Sequence, residues 1–269
     1  MRHPRFAVVT TVIALAGCGE VITTPATSTT SASTSSNGTS GTTTTTTTGT
    51  GGAGGGLPAG TIVLTGQAVR SPMGSPLPGV KVCVYAEPAI PCEETDDQGM
   101  FSIPVPSFAE TGVTLEKTGS GSVLLPSVTL GDDLGGWRIG MPAATAISNF
   151  YDPTGHPYPD AAHGFLEVWT DQGLTEKGLA GMVISTSPAT GAGPFYAAPG
   201  GAAPDLGLTA TSSEGSARFA GLASGVLAVE LTPSPHACDV RFGGWPQDTT
   251  SLRVPILLGF ETHASFACN

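Results

Sequence analysis

Strict alternation over Leu77–Pro106 leaves few folds open to this chain. Val80, Val82 and Val84 are separated by Lys81 and Cys83, a period of two that sets the valines on one face of a half-buried strand. Phe101, Ile103 and Val105 repeat the period after Asp96-Asp97-Gln98-Gly99. Aspartate side chains bond the backbone of a turn, and Gly99 takes positive φ without a Cβ penalty. Pro78-Gly79 opens the first strand as a turn. The stretch reads as a hairpin-like unit of a small all-β domain, joined by a long proline-bearing loop. No segment has the spacing of a long amphipathic helix, although Ala143–Tyr151 has room for a turn or two.

The pattern returns downstream. Leu179-Ala180-Gly181-Met182-Val183-Ile184 echoes Leu77-Pro78-Gly79-Val80-Lys81-Val82. Thr211–Gly215, followed by Phe219, echoes Thr95–Phe101. Gly225–Leu231 alternates as a further strand. The expected fold class is therefore all-β: two Ig-like or transthyretin-like β-sandwiches behind a disordered N-terminal tether. The expected boundaries are 59–138 for the first sandwich, 139–164 for an interdomain segment rich in Pro, Gly and aromatics, and 165–269 for the second, diverged sandwich.

Pro-Gly-Val ahead of a valine-rich strand, then Thr95-Asp96-Asp97-Gln98-Gly99-Met100-Phe101, resembles the carboxypeptidase regulatory-like β-sandwich domains of bacterial surface proteins. The resemblance covers Gly60–Leu130. It departs from the family at Gln98, where Asp commonly precedes the turn glycine. It implies an accessory module of about seven strands with no catalytic residues of its own.

The N-terminus reads as an address. Arg2, His3 and Arg5 form a positive region and Phe6–Ala16 a short apolar one, the plan of a secretory signal at 1–17. Leu15-Ala16-Gly17-Cys18 resembles the bacterial lipobox, which implies cleavage before Cys18 and lipidation of that cysteine. Each buried methylene contributes about 0.8 kcal/mol, so two or three acyl chains anchor a protein stably. Gly19 in place of an aspartate favours the outer membrane or cell surface over inner-membrane retention. Residues 18–58 are mostly Thr, Ser and Gly and have little to bury, so they read as a lipid-anchored linker with an r.m.s. span of about 35 Å.

The ten Lys and Arg residues do not cluster beyond the N-terminus, and the formal net charge is −11. A nucleic-acid partner is therefore not expected, because phosphate binding needs a basic footprint. The expected partners are the membrane, through the lipid on Cys18, and an envelope protein or glycan. Five cysteines divide as one plus four: Cys18 for lipid, and the local pairs Cys83/Cys92 and Cys238/Cys268. Four cysteines allow three connectivities, and the local one keeps each bridge inside one domain of an exported protein.

Chemistry is sparse. The sequence has no G-x-S-x-G, no H-E-x-x-H and no P-loop. Asp152, His156, Asp160 and His163 have ligand chemistry but match no metal-site spacing, and Asp96 and Asp97 read as turn residues. No metal and no cofactor is expected. Exposed rings stack on sugars, which makes Phe150, Tyr151 and Tyr158, with Trp137 nearby, the candidate glycan site. The reading that follows is a non-enzymatic, membrane-anchored surface lipoprotein displaying β-sandwiches for envelope structure, adhesion or partner binding. An accessory polysaccharide- or peptidoglycan-binding module is the alternative, and an enzyme the second.

Overall fold

The computed structural model describes residues 60–269 except 73, 173–176 and 233–236, and all of them fall in one compact unit. Leu15, Ala16, Gly17, Cys18 and the segment 18–58 lie outside the described residues.

The first half contains β1 (Thr61–Arg70), β2 (Lys81–Val84), β3 (Glu93–Glu94), β4 (Met100–Pro106), β5 (Glu110–Glu116), β6 (Val123–Val128) and β7 (Leu134–Met141). The helix α1 (Ala144–Tyr151) and a 3₁₀ turn (Asp152–Thr154) follow. The second half contains β8 (Gly164–Asp171), β9 (Ile184–Ser187), β10 (Ala192–Tyr196), β11 (Ser216–Leu222), β12 (Gly225–Leu231), β13 (Cys238–Phe242), β14 (Trp245–Pro246), β15 (Ser251–Ile256) and β16 (Glu261–Cys268). Strands dominate and the one α-helix is short, so the chain is all-β as expected. Residues 139–164 carry the end of β7, the helix and the 3₁₀ turn.

Each half is a sandwich. In the first, the sheet β4-β1-β7 faces β2, β5 and β6 across a core that includes Leu64, Val82, Ile103 and Leu115. In the second, β11-β8-β16 faces β9, β12 and β15 across Val168, Phe219, Val229 and Phe266. Pairing is the same in both: β1 is antiparallel to β4 and parallel to β7, as β8 is antiparallel to β11 and parallel to β16.

The threonine hydrogen bonds of the turn that links these strands recur in both halves. The Thr95 hydroxyl donates to the Leu77 carbonyl at 2.6 Å and accepts from the Val80 N–H at 2.9 Å. The Thr211 hydroxyl donates to the Leu179 carbonyl at 2.6 Å and accepts from the Met182 N–H at 2.9 Å. Gly99 and Gly215 hold the matching corners at φ 71° and 66°, where an added Cβ would run into the Ala68 and Thr170 carbonyl oxygens. The echo in the sequence is thus a structural repeat.

The halves share a sheet. β16 pairs in parallel with β6 through Glu261↔Val123 and Thr262↔Leu124, and the result is nine strands in which β13 also pairs with β16. The Trp245 indole N–H donates to the Thr111 carbonyl at 2.9 Å, and Arg253 pairs with Glu110. Alternation fixes the layering. Leu125 of β6 belongs to the first core, and Glu261 and His263 continue that face; Ala264 and Phe266 point the other way, into the second core. The small sheet β4-β1-β7 and the small sheet built on β12 and β15 therefore cover opposite faces of the large one. Helix α1 packs beside the first of them: Ile147, Phe150 and Tyr151 lie against Phe165 and Ala220.

Candidate functional site

The reverse face of β11-β8-β16 carries charge. Arg218, Glu167 and His263 stand directly opposite one another on the three adjacent strands, and Glu261 lies one pleat along. All face away from the second core, because Ala217, Phe219, Leu166, Val168 and Ala264 alternate into it. Arg218 lies 2.7 Å from one oxygen of Glu167 and 3.5 Å from one oxygen of Glu261. The Ser216 hydroxyl donates to the same Glu167 oxygen at 3.1 Å, and the Tyr151 hydroxyl donates to the same Glu261 oxygen at 3.0 Å. The His263 Nε2 lies 3.3 Å and 3.9 Å from the remaining oxygens of Glu261 and Glu167. The Arg218 guanidinium sits 4.3 Å over the Phe150 ring, a cation–π contact that ties α1 to the row.

Burial governs these groups. It pushes the Glu167 carboxyl above its usual range, against the pull of Arg218. Burial also raises Glu261, but Arg218 and the bond to His263 outweigh it and hold that carboxyl below the usual range. Burial opposes the charge on Arg218, which Glu167 and Glu261 restore and strengthen. Burial, then Glu261, holds the Tyr151 hydroxyl well above an ordinary phenol. One donor atom from each of Glu167, Glu261 and His263 lies within 4.8 Å of the other two, a donor set suited to a transition metal. Arg218 already neutralises the same two carboxylates, so the cluster is satisfied as a buried ion network, and it locks α1 to the sheet.

The sequence candidates fall elsewhere. Phe150, Tyr151 and Tyr158 are 1%, 0% and 6% exposed, so the expected glycan platform is corrected: these rings are core. The reason is helical, since Ile147, Phe150 and Tyr151 have the i, i+3, i+4 spacing that turns one face inward onto Phe165. The Tyr158 hydroxyl instead accepts the Ser122 N–H at 2.8 Å. Asp160 and His163 pair at 2.6 Å at the surface, while His156 stands beside Phe195 with ring centroids 6.1 Å apart; Asp152, His156, Asp160 and His163 form no common site. The bond from His163 holds the Asp160 carboxyl below its usual range. Asp96 accepts the Gln98 and Met100 N–H groups at 2.9 Å and 2.8 Å, the turn role expected of it. Both cystines are formed: Cys83–Cys92 with Cα atoms 4.3 Å apart, and Cys238–Cys268 at 4.0 Å, directly opposite on β13 and β16.

Beside the charge row the face opens. Three adjoining cavities of about 310, 640 and 430 Å³ share Ser71, Gly140 and Trp169. Together they make one cleft between the edge of β7 and the large sheet. Trp137 and Arg138 stand on the β7 side, and Trp169, His263 and Phe242 on the floor. Trp169 packs edge-on to His263 at 4.9 Å and lies 6.3 Å from Phe242. Sequence reading missed the cleft, because its wall comes from β7 and its floor from β8, β13 and β16, and no local pattern says that these strands meet.

No protein-family model matches the chain, and no curated protein does. Among solved structures it is similar to the TIE protein of Bacillus anthracis, at 12% identity over 78% of this chain and 34% of that one, with a TM-score of 0.25. A minor pilin of Streptococcus agalactiae is 15% identical over 77% of this chain and 95% of its own, with a TM-score of 0.25. A streptococcal ancillary pilin is 13% identical over 78% of this chain and 63% of its own, at the same TM-score. The chain thus spans about a third of the first of these proteins.

Proposed function

We propose that this chain is a non-enzymatic, exported surface module in which two fused β-sandwiches are displayed for adhesion, envelope structure or partner binding. One observation carries the reading: both cysteine pairs of the sandwiches are joined, and disulfides of this kind persist in oxidising, extracytoplasmic compartments. The shared sheet adds a rigid body suited to display. In this reading residues 1–17 are a secretory signal, Cys18 carries lipid, 18–58 tethers the module, and the first sandwich is of the carboxypeptidase regulatory-like kind, with the Asp96–Gly99 turn as its mark. The anchor favours the outer membrane or cell surface. Replacing Cys18 with Ser tests it by fractionation of expressing cells. The variant partitions to the soluble fraction and the wild type to membranes; a variant still in the membrane pellet contradicts the anchor.

A further inference from the structure

The cleft beside the charge row has an aromatic end and a polar stretch. Trp137, Trp169 and Phe242 gather at the first. Both indoles are half-buried, and Phe242 is 44% exposed. Among the described residues no ring lies flat against either indole. Trp169 meets His263 edge-on at 86° and Phe242 at 42°, and Trp137 has no aromatic partner. Ring faces therefore remain for a ligand.

The polar stretch is mixed in sign. Arg138 brings a positive charge to a cavity that Asp171 and Glu214 also line. An anionic ligand drawn to Arg138 meets two carboxylates, and a cationic one meets the guanidinium, so charge selects neither. What the lining does offer is donors beside acceptors. The wall strand β7 adds neutral ones, since among the described residues it pairs with β1 alone and its outer backbone groups face the cleft.

We propose that the cleft binds a neutral oligosaccharide, with sugar rings laid on Trp137 and Trp169 and hydroxyl groups bonded to Arg138, Asp171 and Glu214. A sugar uses both parts of this lining. Its C–H face is apolar and packs on an indole, and each hydroxyl donates and accepts, so it bonds to guanidinium and carboxylate alike. Three adjoining cavities form an open trough, which suits a chain of rings better than a single one. The site thus lies on the face of the large sheet and not on Phe150, Tyr151 and Tyr158, which are core. The proposal rests on reading the chain as a surface module that binds a partner, and it names the class of that partner. It does not depend on the lipid anchor.

The test applies the full-length protein to an array of neutral and acidic glycans, and titrates the hits by tryptophan fluorescence. The expected result is saturable binding of neutral oligosaccharides with altered indole emission. The affinity holds from low to high salt, because no ion pair forms with the ligand. Trp169→Ala and Trp137→Ala each weaken binding roughly tenfold by removing a stacking face. Arg138→Ala removes an exposed donor and weakens it severalfold, and this variant carries the test if the tryptophan variants do not fold. A folded, disulfide-bonded sample that binds no neutral glycan overturns the proposal. So does binding confined to acidic glycans and abolished by salt, or neutral binding that every folded variant leaves unchanged. None of these outcomes touches export or the anchor, which the Cys18→Ser fractionation decides separately.

Discussion

Thr65 and Glu167 occupy the same place in the two repeats, mid-strand on β1 and β8 and turned away from the sandwich core. Thr65 is half-exposed, whereas Glu167 is buried in a network with Arg218, Ser216 and His263. The scaffold is common to both: the threonine-and-glycine turn, the strand order and the parallel third strand. What differs is what lies on top. The outer face of β1 meets solvent, and the outer face of β8 meets α1 and the cleft. The same contrast holds at the edges, with β7 open and β16 closed. A repeated fold thus supplies stability twice, and its individual character comes from how the second copy is covered and which edge is left unpaired.

Breaking the contrast at the charged face has the largest expected effect. Arg218→Ala leaves two buried carboxylates without their counter-ion and costs about 3–5 kcal/mol, whereas Thr65→Ala stays within about 0.5 kcal/mol. Urea unfolding of the two variants measures the difference. If both cost the same small amount, the network is not buried as described. The cystines come next. Chain-entropy arithmetic gives about 3.7 kcal/mol for the loop closed by Cys238–Cys268 and about 2.7 kcal/mol for Cys83–Cys92. Calorimetry of the two paired Cys→Ser variants should rank them in that order.

The common scaffold gives the next effect. Thr95→Val strips the Leu77 carbonyl and the Val80 N–H of their partner, at about 2–3 kcal/mol, whereas Thr211→Val strips the Met182 N–H but leaves the Leu179 carbonyl the Thr170 hydroxyl at 3.2 Å, at about 1–2 kcal/mol. A larger loss at Thr95 supports this difference between the turns; equal losses argue that the Thr170 hydroxyl does not hold the carbonyl in solution. The smallest effect is silent at neutral pH. Burial, then Glu261, raises the Tyr158 hydroxyl to about 12 from 10.0. The folded state therefore holds its proton longer than the unfolded state. Its contribution is complete below pH 10 and is lost as pH rises from 10 to about 12. Tyr158→Phe should flatten that alkaline slope in a thermal-melt series.

The scaffold was legible in the sequence because it is local. Alternation over Val80–Val84 and Phe101–Val105 marks strands, and a threonine four residues ahead of a glycine marks the turn in both copies. The paired sheet was not legible. Val123 and Glu261 meet across 138 intervening steps of chain, and neither Val123–Val128 nor Glu261–Cys268 names its neighbour. The charged row hides for a related reason. Phe165-Leu166-Glu167-Val168-Trp169 reads as a strand with a polar outer face, and nothing local says that a helix will cover it. The aromatics of α1 were misplaced as a surface loop even though Ile147, Phe150 and Tyr151 carry helical spacing. Two prolines shortly after them, Pro153 and Pro157, made the segment look like coil.

Residue-resolved hydrogen exchange of the free, full-length protein tests the central contrast most directly. The account predicts that β16, paired on both sides, is protected up to the limit set by global unfolding. It predicts that β7 shows a split pattern, with the amides facing β1 protected and those facing the cleft exchanging orders of magnitude faster. Uniform protection of β7 at the level of β16 would contradict the account, because the edge would then already be closed in the free protein.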